Sequence, residues 1–424
     1  MYEILASVAI FFTVYIFIIT ERVHRTVAAM LGATTLMFMQ IFENPHEVFI
    51  RYVDFNTIFL LVGMMLLVAA LKTTGFFQFI GVKGLKFSKR NLRRLFLTLT
   101  TLVAFISAFI DNVTTVMIFV PMTLAVADAV GFDPSPFVLG EIFASNIGGT
   151  ATLIGDPPNI LIGTAAHLSF MDFILNLSPI SLVILVVVDF FLLFVYRKEL
   201  SKDFSGFVRE NIHEMRPTPK LYMGMVLLSV TITLFLLQHK LNLSGATIAL
   251  MMGFLSVLLI EKDKVEDFLK DVDWATIFFF IALFIITGAL EETGVLEKIA
   301  LFMVDISKGS ARMLQAMLIS FSALLSSFVD NIPYTATMIP VIESLKQVDP
   351  HAFSNLEPFW WSLALGACLG GNGTPIGASA NVVALQILGQ YGRKISFLKF
   401  FKTGFSVVLI SIFLSTVYVV FRYR

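Results

Sequence analysis

Residues 111–121 read DNVTTVMIFVP, and residues 330–340 read DNIPYTATMIP. The two strings lie 219 positions apart, and the register holds on their N-terminal side. VDFNTIF at 53–59 answers VDWATIF at 272–278, and LKTTG at 71–75 answers LEETG at 290–294, both at the same offset. Farther along, IGGTATLIGDPPN at 147–159 answers LGGNGTPIGASAN at 369–381, with an offset of 222. A constant register over about 100 residues with one short slip is hard to obtain by chance, and the period is far too long for a solenoid. It is the length of half a transporter. The chain is therefore read as a first repeat at 1–196, a polar linker at 197–220 and a second repeat at 221–424.

Composition names the solvent. The 424 residues are 57% hydrophobic and 14% charged, with mean hydropathy +0.86, where soluble domains carry about 25% charged residues. Apolar runs long enough for a hydrocarbon core of ~30 Å recur along the chain. The first, Ile4 to Thr20, has no basic segment before it and no small-residue cleavage site after it, so it reads as a retained helix. Helices are expected at 4–20, 26–42, 56–71, 95–110, 113–130, 137–166 and 174–196, and then at 221–238, 246–260, 275–290, 313–329, 332–347, 359–389 and 403–421. The fold class is an all-α polytopic membrane protein of two inverted-topology repeats. Each repeat has about five transmembrane helices, a re-entrant helical hairpin (95–130 and 313–347) and a broken helix (137–166 and 359–389).

Lys and Arg set the expected orientation. With the N-terminus outside, the segments 21–25, 72–94, 197–220, 261–273 and 390–402 face the cytoplasm and hold 22 of the chain's 30 basic residues. The expected location is the cell (inner or plasma) membrane, multi-pass. An odd number of crossings per half turns the second copy upside down. A hairpin that spans fully would give the same parity, so charge does not separate it from a re-entrant one.

Polar groups at membrane depth mark the candidate sites. Asp111 and Asn112, with Thr114 and Thr115 behind them, sit inside an apolar run, and Asp330, Asn331 and Thr335 repeat the pattern. A carboxylate at the bilayer centre costs ~2.5–3.5 kcal/mol on insertion scales. These residues either cap the returning helix limb or bind an ion, and the two roles are compatible.

The second pair of sites lies in segments too long to cross as one helix. Ser145, Asn146, Gly148, Gly149, Thr150 and Thr152 interrupt 137–166, and Asp156 and Asn159 follow. The copy keeps Gly370, Gly371, Asn372, Thr374, Ser379 and Asn381, with Ala378 where the first half has Asp156. Free carbonyls and neutral side-chain oxygens suit a dehydrated Na⁺. A Gly-rich kink for helix packing is the alternative.

The four motifs hold three carboxylates and no Lys or Arg, which attracts cations or protons. Glu141, one turn before Ser145, adds a fourth acid or is a buried, protonated or capped carboxyl. Cys368 is the single cysteine, so no disulfide is possible within one chain. Beside the second break it reads as a small core residue or as a lone thiol toward arsenite. There is no HExxH pair or GxSxG elbow, so an enzyme is not expected. No cofactor is expected beyond Na⁺ and/or H⁺ as coupling ions.

These motifs resemble the ion transporter superfamily of arsenite pumps, D-type sodium/proton antiporters and divalent anion/sodium symporters, most closely the P protein (pink-eyed dilution) group. DNVTTVMIFVP, SNIGGTATLIGDPPNILIG, DNIPYTATMIP and GACLGGNGTPIGASANVV carry the likeness. It implies inverted repeats, each with a scaffold part and a transport part, and a homodimer through scaffold helices. It also implies Na⁺ at Asn112, Ser145, Asn146, Gly149 and Thr152, and at Asn331, Gly371, Asn372, Thr374 and Asn381. Asp111, Asp156 and Asp330 stand where the symporter branch tends to use uncharged residues. The expected partners are the lipid bilayer and a small inorganic ion or anion substrate, with no nucleic acid. The expected function is secondary-active transport by alternating access: Na⁺/H⁺ exchange, or export of a small inorganic species such as arsenite. The alternatives are a Na⁺-coupled anion or citrate-like carboxylate transporter and a chloride-conducting channel.

Overall fold

The computed structural model describes residues 2–20, 22–87, 91–201 and 218–423. Most of the expected linker, 202–217, thus lies outside the described residues. The first half contributes α1 (Tyr2–Thr20), α2 (Arg25–Phe38), α3 (Phe55–Thr73), α4 (Phe76–Phe87), α5 (Leu92–Ser107), α6 (Asn112–Val130), α7 (Ser135–Thr150), α8 (Pro157–Ala165) and α9 (Ser178–Val195). The second contributes α10 (Pro219–Leu236), α11 (Gly245–Glu261), α12 (Trp274–Glu292), α13 (Val295–Ile306), α14 (Ala311–Ser326), α15 (Asn331–Val348), α16 (Glu357–Gly370), α17 (Ser379–Gln390) and α18 (Phe397–Arg422). Each main helix has its copy nine places later.

Six helices among the described residues are long and apolar enough to cross a membrane, or up to seven counting one bent pair. Short helices sit between some main ones. One of them, Phe170–Asn176, lies 114° from α8, so the span expected from residue 174 begins instead at Ser178.

Contacts between helices come in exchanged pairs. α2 packs on α12 and α3 on α11; α6 packs on α17 and α15 on α8. Exchanging every helix for its copy reproduces this list, which is the signature of an approximate two-fold axis. The copies also run in opposite directions. Thr26 Oγ1 donates to Ala275 O at 2.8 Å, and beyond the other end of α2 Glu43 N donates to Glu292 Oε1 at 3.1 Å, so α2 and α12 run parallel. α3 starts where α12 ends, because Tyr52 donates to Glu292 and Arg51 lies 3.8 Å from it. α3 is therefore antiparallel to α12, its own copy, and the repeats are inverted.

Close backbone contact joins the scaffold helices. A Cβ at Gly63 would lie 2.3 Å from the Ala249 carbonyl carbon, and one at Gly253 would lie 2.5 Å from Gly63 O. Small residues let helices approach in this way where lipid removes the hydrophobic drive for association.

α4 and α13 occupy segments the sequence reading left as loops. Each is only 12 residues long and carries polar groups, Lys83 in one and Glu297 and Lys298 in the other. A search for spanning runs passes over such helices. Their apolar faces, including Phe76, Phe77, Leu296 and Ala300, are buried, against α5 and α6 for α4 and against α12 and α15 for α13.

Candidate functional site

Both hairpins turn at an Asp that caps the returning limb. Asp111 Oδ1 accepts from Thr114 N at 2.8 Å, and Asp330 Oδ1 accepts from Ile332 N at 3.1 Å. The limb itself contains a proline at the same repeat position, Pro121 and Pro340. Each hairpin is tied to the broken helix of its own half by matching bonds. Ser107 Oγ donates to Ser145 O at 2.7 Å, and Ser326 Oγ donates to Ala367 O at 2.6 Å. Thr152 donates to Ala108 O, and Thr374 Oγ1 donates to Ser327 O at 2.5 Å.

The breaks themselves span 151–156 and 371–378. Their unwound carbonyls are satisfied by one asparagine each. Asn159 Nδ2 donates to Thr150 O and Thr152 O at 3.1 and 2.8 Å; Asn381 Nδ2 donates to Gly371 O and Thr374 O at 2.7 and 2.9 Å. Gly148 and Gly370 serve packing, since a Cβ there would lie 2.1 Å from Ala104 O and 2.5 Å from Ala323 O.

Because Asn381 donates twice to backbone, its Oδ1 is left to accept, and this orients every other amide in the centre. Asn146 Nδ2 donates to Asn381 Oδ1 at 3.0 Å and to Asn372 Oδ1 at 2.9 Å. Asn146 Oδ1 in turn accepts from Asn112 Nδ2 at 3.0 Å. Asn372 Nδ2 is buried without a partner among the described residues. This chain of amides joins the two halves at the level of the hairpin apices.

Asp156 takes a different part. It is the N-cap residue of α8, yet its side chain makes no cap bond. The next two residues are Pro157 and Pro158, which have no N–H to offer, and Asn159 N bonds to Asp156 O. The carboxylate is left free to turn across the interface. Asn331 Nδ2 lies 3.3 and 3.2 Å from its two oxygens. Asp156 is buried and lies within electrostatic range of Asp111 and Asp330.

One participant escaped the sequence reading, and a second was read there without its partner across the repeats. Arg25, at the start of α2, reaches the second apex. Its NH1 lies 3.1 Å from Asp330 Oδ2 and 2.7 Å from Ser379 Oγ, its NH2 lies 3.4 Å from Thr276 Oγ1, and its guanidinium stacks 5.2 Å from the Phe279 ring centre. The four motifs hold no basic residue, but the folded site has one; a distant scaffold helix supplies it. The second is Cys368, at the position of Asn146 in the repeat. Its Sγ donates to Asn159 Oδ1 at 3.5 Å, the mirror of the bond from Asn146 to Asn381. Comparing the copies residue by residue was the signal that could have found it.

Among the described residues, the remaining expected site residues make no side-chain bond to the central amides. Ser145 Oγ and Thr150 Oγ1 donate back to Ile142 O and Asn146 O within their own helix, at 3.0 and 2.7 Å. Thr115 Oγ1 donates to Asp111 O at 2.9 Å, Thr114 serves the Asp111 cap, and Thr335 Oγ1 is buried with no partner. A Cβ on Gly149 or Gly371 would crowd the start of the opposite limb of its break, 2.8 Å from Gly155 O or 3.1 Å from the Ala378 Cβ.

The citrate transporter family matches residues 15–366. This chain belongs to that family. As a family member it is a membrane transporter and not an enzyme. It is 38% identical to the "46 kDa membrane protein" of Mycobacterium leprae over 98% of both chains. It is 35% identical to an uncharacterized transporter of Mycobacterium tuberculosis, again over 98% of both. The human P protein is 33% identical over 96% of this chain and 59% of that protein. The fold is that of the Alcanivorax borkumensis YdaH transporter, with a TM-score of 0.58 over 86% of this chain and 84% of that one at 14% identity.

Proposed function

We propose that this citrate transporter family member is a secondary-active carrier working by alternating access, coupled to Na⁺ and/or protons. It exchanges Na⁺ for H⁺ or exports a small inorganic species such as arsenite. The observation that carries the reading is Asp156: a buried carboxylate at the junction of inverted halves, facing the amide of Asn331 and, among the described residues, paired with no basic side chain. Inverted repeats with breaks at their junction suit rocking of one part against the other around a fixed site. The amide oxygens of Asn372 and Asn381 accept hydrogen bonds from Asn146 that join the halves. Na⁺ binding at them replaces these bonds, which ties ion binding to the separation of the halves. The carrier sits in the cell membrane with its N-terminus outside and pairs as a homodimer through scaffold helices.

A second reading, Na⁺-coupled anion or carboxylate symport, is favoured by Arg25 at the second apex and by the description of the family. One experiment separates the two. Proteoliposomes are given Na⁺ and H⁺ gradients separately, and internal pH is followed beside uptake of labelled carboxylates. Under exchange, Asp156→Asn abolishes Na⁺-driven proton movement while the protein stays folded. Under anion symport the same change lowers repulsion and preserves or raises uptake. Wild type that moves carboxylates and no protons refutes the exchanger.

A further inference from the structure

Glu141 lies on α7, five positions before Asn146 and so about 8 Å along the helix axis from the central amides. Its side chain is fully buried. Thr123 on α6 donates to Oε1, while Oε2 is buried with no hydrogen-bond partner among the described residues. Ionised, this group would be an uncompensated charge in a low-dielectric interior, which is strongly disfavoured. The packing around it suits the neutral carboxyl.

The repeat supplies an internal control. With the offsets established above, Glu141 corresponds to Leu363 and Thr123 to Ile342, both fully buried. The inverted copy packs the same place with two aliphatic side chains, so the fold does not require the acid. A second polar pair in the first half behaves likewise: Thr100 Oγ1 donates to the buried Asp189 Oδ2 at 3.0 Å. Thr100 corresponds to Ile319, and α18, the copy of α9, contains no acidic residue. The surroundings of α7 hold no cation for Glu141 among the described residues. Arg93 and Arg94 on α5, Asp128 on α6 and Lys399 and Lys402 on α18 are exposed. Asp111 caps α6, Glu357 on α16 accepts from the Trp361 indole, Cys368 belongs to the central junction, and α17 carries no titratable group.

We propose that Glu141 is a reversible proton-binding site of the first half, separate from the central Asp156, which takes and releases its proton as α6 and α7 shift during transport. Its role in coupling rests on the proton-coupled reading above; its titration does not. The test is infrared spectroscopy of the purified protein. The carbonyl band of a protonated carboxyl, assigned by its loss in Glu141→Gln, is expected at acidic pH and disappears reversibly as pH rises. A band unchanged across the whole range in which the protein stays folded reveals a permanent structural proton and overturns the proposal. So does a spectrum in which Glu141→Gln removes no such band. The paired variant Thr123→Ile with Glu141→Leu copies the second half's own packing and is expected to melt near wild type while losing proton movement in vesicles. If it is folded and moves protons at the wild-type rate, the coupling role fails. If wild type moves no protons yet the band titrates, the proton site stands and the exchanger reading fails.

Discussion

Asn146 and Cys368 occupy the same position in the two repeats and make the same reach across the interface. Asn146 Nδ2 donates to Asn381 Oδ1 at 3.0 Å, and Cys368 Sγ donates to Asn159 Oδ1 at 3.5 Å. An amide therefore stands on one side of the pseudo-two-fold axis and a weak thiol donor on the other. The asymmetry extends to Asp156, whose counterpart is Ala378. One half supplies the richer polar network and the only carboxylate of the pair.

Removing the two donors should therefore cost unequal amounts. Asn146→Ala strands Asn112 Nδ2, Asn372 Oδ1 and Asn381 Oδ1, and each buried unpaired group costs about 1–3 kcal/mol. A loss of roughly 3 kcal/mol or more is expected. Cys368→Ala removes a small, weakly donating side chain and is expected to cost about 1 kcal/mol. Thermal melts of the two variants in detergent decide it; equal shifts would mean that the amide chain does not hold the halves together.

Arg25 and Asp330 join a scaffold helix to the second hairpin apex, with side-chain exposures of 29% and 13%. Arg25→Ala leaves Asp330 near the membrane interior without its cation, whereas adding Asp330→Asn removes the stranded charge. A double-mutant cycle on melting should give a coupling of about 1–3 kcal/mol, the range for charge-assisted hydrogen bonds. Strict additivity of the two changes would show that the contact contributes nothing.

Gly63→Ala is expected to push α3 away from α11, because the new Cβ would sit 2.3 Å from the Ala249 backbone. Overpacking of this kind costs about 1–3 kcal/mol. Gly389→Ala is the control, since nothing lies within 4 Å of its Cβ position. A Gly63 variant as stable as the Gly389 variant would contradict the close approach of these helices.

Topology is open to labelling in a Cys368→Ala background. Single cysteines at Lys83, Ser201 and Arg393 are expected to react from one side of the membrane, and those at Asn242 and Asp349 from the other. The contact between Lys220 and Glu261 at 2.8 Å puts the start of α10 and the end of α11 on one side, as the basic-residue count requires. Labelling of Ser201→Cys and Arg393→Cys from opposite sides would break the odd-crossing scheme.

Much of the site was legible before any coordinates. The paired DN apices, the paired glycine breaks and the register of 219 and 222 each concern residues close together in one repeat. Their local chemistry announces them: Asp as a cap, Gly where backbones meet, Asn where carbonyls are freed. α4 and α13 were missed because a short amphipathic helix has neither the length nor the uniform apolarity that marks a span. Arg25 was missed because it lies 305 residues from Asp330 in the chain. No periodicity links two such positions.

By itself the sequence determined that this is a duplicated, helical membrane protein and which short stretches break its helices. It did so because duplication leaves a constant offset and because apolar length, proline and glycine act locally. Only the tertiary structure decided which half each side chain serves. Asp156 belongs to the first break but turns to Asn331 of the second, since Pro157 and Pro158 deny it an N–H of its own helix to cap. Asn146 spans to Asn372 and Asn381 because Asn381 has spent its donors on its own backbone and has only an acceptor left. Such choices depend on hydrogen-bond partners that become neighbours only when the two inverted halves close on each other.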